Sequence, residues 1–153
     1  AIPPQMQEPL TRIASQIFSA EYRGRPKRQI QELKAHFQKH FRYRLGVPTS
    51  ANVEPVLNFL TRTRQGHCEL FAAASALLLR TQGIPTRYVT GVVCAERHPF
   101  GGYWLARLKD AHAWVEAYLP DQQEWVLVET TPPDGRPSGD RVGNWLATAF
   151  DGL

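Results

Sequence analysis

The chain has 153 residues, 42% of them hydrophobic and 21% charged, with four Trp and seven Phe. That is the length of about one domain with a sizeable core, and a globular composition that excludes a disordered or fibrous chain. Formal net charge is +4, no apolar run approaches the ~18–20 residues of a membrane span, and nothing at the N-terminus resembles a signal peptide.

Leu10, Ile13, Ile17 and Phe18 recur at helical spacing, and a second amphipathic run extends from Pro26 to Phe41, with Pro26 suited to a first helical turn. This second run lies in the basic stretch Arg23–Arg44, which holds eight Lys or Arg and a single carboxylate, Glu32. Ile30, Leu33, Phe37 and Phe41 make it the solvated face of a packed helix, and no nucleic-acid partner is expected. Val56, Leu57 and Leu60 predict a short helix, followed by loop from Arg62 to Gly66.

Cys68–Leu79 reads CELFAAASALLL, a helix apolar on nearly every side and suited to the centre of a domain. Gly83 and Pro85 end it. The pattern then changes to strands at Thr86–Val93, Tyr103–Leu108, Ala111–Leu119 and Glu124–Thr130. The fold class is therefore α+β, a central buried helix and N-terminal helices packed against an antiparallel sheet. Pro132–Arg141 reads as loop and Trp145–Phe150 as a short docking helix. The chain opens on Ala1 and has no evident closing element, so residues 1–153 are expected to be a single domain excised from a larger protein.

Cys68 leaves a Gly66-His67 step and opens the most apolar helix. A helix N-terminus offers unpaired N–H groups and the positive end of the dipole, which stabilise a thiolate and a developing oxyanion. As a strand, Ala111–Leu119 puts His112, Trp114, Glu116 and Tyr118 on one face. If Pro120–Gln123 is the hairpin loop, Leu119 pairs with Glu124, and Glu129 falls opposite Trp114, one diagonal step from His112. A carboxylate there fixes the imidazole tautomer and stabilises its charged form. Two cysteines are too few for a thiolate-rich zinc site, and neither CxxC nor HExxH occurs, so no metal or cofactor is expected. Cys94 reads as a core or strand-end thiol, and His67 and His98 as loop residues.

Three blocks in order, GHCELFAAASALLLRTQGIPTRYVTGV (Gly66–Val92), DAHAWVEAYL (Asp110–Leu119) and WVLVETTP (Trp125–Pro132), resemble the transglutaminase-like superfamily, in its bacterial branch of domains attached to a membrane-anchored parent. The resemblance implies a papain-like core, with Cys68 as nucleophile, His112 as base and Glu129 as third member. At that third position the family more often shows Asp followed by Pro-Thr. It also implies a second oxyanion donor, for which Tyr43 and Gln65 are candidates, and a structural turn formed by Arg80, Gly83, Ile84, Pro85 and Arg87. The expected function is cysteine-dependent acyl transfer or hydrolysis on protein or peptide carboxamides, in an extracytoplasmic setting through the parent. The acidic clusters of a calcium-regulated crosslinking enzyme are missing, which leans towards hydrolysis. A non-catalytic binding domain of the same fold, taking protein or cell-envelope polymer, is the alternative.

Overall fold

The computed structural model describes residues 1–48, 53–94 and 96–137; the Trp145–Phe150 helix expected above lies outside them. Helix α1 spans Pro4–Ile17 and α2 spans Pro26–His40, each with proline in its first turn, where the missing N–H removes no bond. Strand β1 is only Arg42–Tyr43. Helix α3, Pro55–Asn58, is capped by the Glu54 carboxylate on the Leu57 N–H and runs on as a wide turn to Thr63. The expected loop at Arg62–Gly66 is therefore part helix and part strand: β2, Gln65–Gly66, pairs in parallel with β1, Arg42 opposite Gln65 and Tyr43 opposite Gly66.

Helix α4, Cys68–Thr81, runs through the core, burying Phe71, Ala72, Ala74, Ser75, Ala76, Leu78 and Leu79. Its first turn is anchored by an aromatic cluster, in which Phe59 lies 4.9 Å from both Phe41 and Phe71, and Phe37 lies 4.7 Å from Phe41 (ring centroids). Full burial of each such ring contributes roughly 2–3 kcal/mol, which anchors the turn that carries Cys68 to the core. Gly83, at φ +76°, takes the left-handed conformation that ends the helix. Arg80 then ties the helix end to the first long strand, donating to the Thr86 hydroxyl (2.9 Å) and carbonyl (3.0 Å). The α2 residue Gln29, almost wholly buried, donates to Gln82 at 3.1 Å.

Strands β3 (Thr86–Val92), β6 (Ala111–Leu119) and β7 (Glu124–Val128) form an antiparallel sheet in the order β3-β6-β7. Ala113, Val115, Ala117 and Leu119 of β6 are buried and share one core with α4. The expected strand at Tyr103–Leu108 is not in this sheet. Only Trp104–Leu105 (β5) is extended, paired with Glu96–Arg97 (β4) in a separate hairpin, and Leu108–Asp110 curls into a 3-10 turn. Asp110 closes that turn by accepting from the Arg107 N–H at 2.8 Å, an arrangement a strand would not permit.

Candidate active site

Leu119 pairs with Glu124 across the four-residue loop, as the hairpin reading predicts, and the ladder continues to Val115 opposite Val128. There β7 ends two residues short of the expected Thr130. Glu129 leaves the ladder because its carboxylate accepts the Thr131 N–H at 2.8 Å, which bends the chain. The other carboxylate oxygen meets His112 Nε2 at 2.6 Å. Both side chains are shut away from water, at 7% exposure for His112 and 2% for Glu129, so the charge-assisted bond between them is only weakly screened. Trp114, from the same face of β6, lies nearly parallel to the imidazole at 6.3 Å.

The register also explains what faces the sulfur. Tyr118 donates its N–H to Pro85, so even-numbered residues of β6 hydrogen-bond towards β3 and odd-numbered ones towards β7. Because β7 stops opposite Val115, the Ala113 N–H has no ladder partner on that side, and it turns to Cys68. No side chain caps the N-terminus of α4, and the Glu69 N–H also faces the sulfur. The Cys68 thiol is lowered from its ordinary range, first by interaction with His112, against partial burial, and then by these two N–H groups.

Burial alone would lower the His112 pKa. The Cys68 sulfur and the Glu129 carboxylate outweigh it and lift His112 to about 9. With Nε2 bonded to Glu129, the buried Nδ1 has no regular hydrogen bond and is the nitrogen left for the sulfur. The two shifts run in opposite directions, each with the other group among its causes, as expected where a thiol and an imidazole titrate together.

Tyr43 comes to the same place. Its phenol pKa is raised by burial, then by the charges of Cys68 and Asp134. Gln65 uses its carboxamide oxygen to accept from Arg44 at 3.2 Å. The structure thus brings Cys68, His112, Glu129 and Tyr43 together and leaves Gln65 engaged with Arg44. Cys94 is an exposed free thiol beyond the end of β3. His67 is the residue before α4, 3.8 Å from Glu69, and His98 accepts from the Gly101 N–H at 2.9 Å. Among the described residues no group of His, Cys, Asp and Glu could hold a metal ion.

Two features escaped the sequence. Lys34, in the basic run of α2, does not belong to a solvated face: burial and then Arg136 lower its pKa to about 8, while Glu129 pulls the other way. And the Ser75 and Thr130 hydroxyls, both buried, bond at 2.8 Å, tying the helix of the thiol to the chain just beyond the acid. Thr130→Val is expected to leave Ser75 unpaired and to cost about 1–3 kcal/mol in urea denaturation.

Comparisons with known proteins agree with this architecture. The sequence profile of the Transglutaminase-like superfamily matches residues 12–130. A protein-glutamine gamma-glutamyltransferase of Pseudomonas aeruginosa is 39% identical over 105 residues, 69% of this chain but 15% of that relative. The uncharacterized protein YebA of Bacillus subtilis is 39% identical over 77 residues, 48% of this chain and 10% of its own length. The crystal structure of the periplasmic domain of TgpA from Pseudomonas aeruginosa, bound to ethylmercury, matches with a TM-score of 0.77 at 31% identity, covering 90% of this chain and 50% of that one. The chain therefore spans a small part of the curated relatives and half of the solved domain. With the profile running from α1 to the end of the sheet, and 90% of its length sharing the fold of a 31% identical solved domain, this chain belongs to the transglutaminase-like superfamily.

Proposed function

We propose that this domain attacks protein-borne carboxamides through Cys68, forming a thioester that is passed to an amine or to water. The observation that carries this reading is the His112 imidazole held by buried Glu129 at 2.6 Å on one side, with the Cys68 sulfur as its other neighbour. The thiolate adds to the carbonyl carbon, and the resulting oxyanion is held by N–H groups at the start of α4 and by the Tyr43 hydroxyl. His112 Nδ1 gives its proton to the departing nitrogen as the C–N bond breaks. In the second half His112 takes a proton from the incoming amine or water, and the thiolate leaves as the C–S bond breaks. Glu129 orients the ring throughout and stabilises its charge.

A glutaminyl side chain as donor is supported by the 39% identical relative named protein-glutamine gamma-glutamyltransferase. An extracytoplasmic setting is supported by the periplasmic origin of the solved relative; among the described residues no helix is long and apolar enough to cross a membrane.

The test is incubation of a glutamine-containing peptide with the domain, with and without a primary amine, read by ammonia release and by mass. An amine adduct or deamidated product supports the reading; no product with a freely alkylated Cys68 would leave the binding-domain alternative. Glu129→Gln keeps the shape but removes the charge, and kcat is expected to fall on the order of 10²-fold with residual turnover.

A further inference from the structure

Tyr43 sits on a strand of two residues, too short to hold an aromatic side chain by itself. Its main chain pairs with Gly66, two residues before Cys68, which brings it to the start of α4. What meets the ring comes after the sheet's last strand in the chain. The turn Pro133–Gly135 passes so close that a Cβ on Gly135 would fall far inside van der Waals contact with the ring atoms Cγ, Cδ2 and Cε2. Gly135 is not among the glycines with positive φ, so its backbone conformation is open to any residue and the close approach is what requires glycine.

The turn is itself tied to the acid. Gly135 donates its N–H to Pro132 (2.9 Å), Arg136 Nε donates to the Thr131 carbonyl (2.8 Å), and the Thr131 N–H is held by Glu129 (2.8 Å). Residues 129 to 136 therefore carry the carboxylate that orients His112 at one end and a flat seat for Tyr43 at the other.

We infer that Gly135 is a positioning residue, whose missing side chain lets the Pro133–Gly135 turn seat the Tyr43 ring so that its hydroxyl reaches the oxyanion formed at Cys68. The inference rests on the acyl-transfer reading above and adds to it the part that sets the reach of the phenol. A phenol is protonated at neutral pH, as a donor has to be, and burial, then the charges of Cys68 and of Asp134 in the same turn, raise its pKa further.

The experiment compares wild type, Gly135→Ala, Tyr43→Phe and the double variant, reading kcat and KM on the glutamine peptide and, separately, the rate of Cys68 alkylation by iodoacetamide. Tyr43→Phe is expected to lower kcat on the order of 10²-fold, the loss of one oxyanion donor. Gly135→Ala matches that loss with KM and alkylation rate within about twofold of wild type, since alkylation forms no oxyanion. The double variant is no slower than Tyr43→Phe. Wild-type kcat in Gly135→Ala, or losses that multiply in the double variant, overturns the inference while the acyl-transfer reading stands. A wild type that alkylates but turns over no carboxamide sinks that reading and this inference together. If Gly135→Ala loses its fold, adding Tyr43→Ala removes the ring it strikes and restores folding; failure to restore it overturns the inference.

Discussion

Cys68→Ala is expected to remove turnover of any carboxamide substrate, a loss on the order of 10⁴-fold or more, with little change in stability. Cys68 is only partly buried at the mouth of α4, packed against the edge of the core, whereas the turn behind it is held by Phe37, Phe41, Phe59 and Phe71. Alanine is also the better helix former at that position. Kinetics and a thermal melt on the same preparation check both halves. Turnover equal to wild type would mean that another group carries the reaction.

His112→Ala is expected to slow alkylation of Cys68 at pH 6–7 by roughly 10- to 100-fold and to abolish turnover. In the intact site the leading influence on the thiol is His112. Without it, partial burial pushes the thiol up while the Ala113 and Glu69 N–H groups pull it down, and the titration returns towards the ordinary value of about 8.5. The sign follows from which form reacts: thiolate reacts, so wild type keeps its rate as pH falls until the lowered thiol pKa is reached, and the variant loses rate tenfold per pH unit from a higher starting point. Turnover in wild type has a second limb. His112 holds its proton up to about 9, and above that pH the departing nitrogen finds no acid, so kcat falls on the alkaline side. Identical alkylation profiles in the two proteins would show that the imidazole does not influence the sulfur.

The parts that could be read from residues alone are those where one periodicity runs long enough to be unambiguous. Helix α4 is apolar on nearly every side and is closed by Gly83 just beyond its end, and β6 alternates over nine residues. The meeting of His112 with Glu129 follows from the even-numbered loop Pro120–Gln123, since parity alone decides which face a residue shares. The β1–β2 bridge could not be read, because two residues show no period. Tyr103–Leu108 misleads for another reason: aromatic and branched residues suit strands, but a strand also needs a partner, and here only Trp104–Leu105 finds one. The exit of Glu129 from β7 depends on its own carboxylate capturing the Thr131 N–H, a competition between side chain and ladder that composition does not reveal. Gly135 looks like ordinary punctuation in a loop until the Tyr43 ring is seen against it.

The four groups of the site stand far apart along the polymer, Tyr43 and Cys68 before the sheet and His112 and Glu129 within and after it. During synthesis the thiol emerges before the imidazole and the carboxylate, and at that stage Cys68 lacks the neighbour that most lowers its pKa. On the proposed chemistry the sulfur gains its imidazole only once the hairpin of β6 and β7 has closed and docked on α4, so a chain that stalls earlier is expected to carry a thiol of ordinary reactivity.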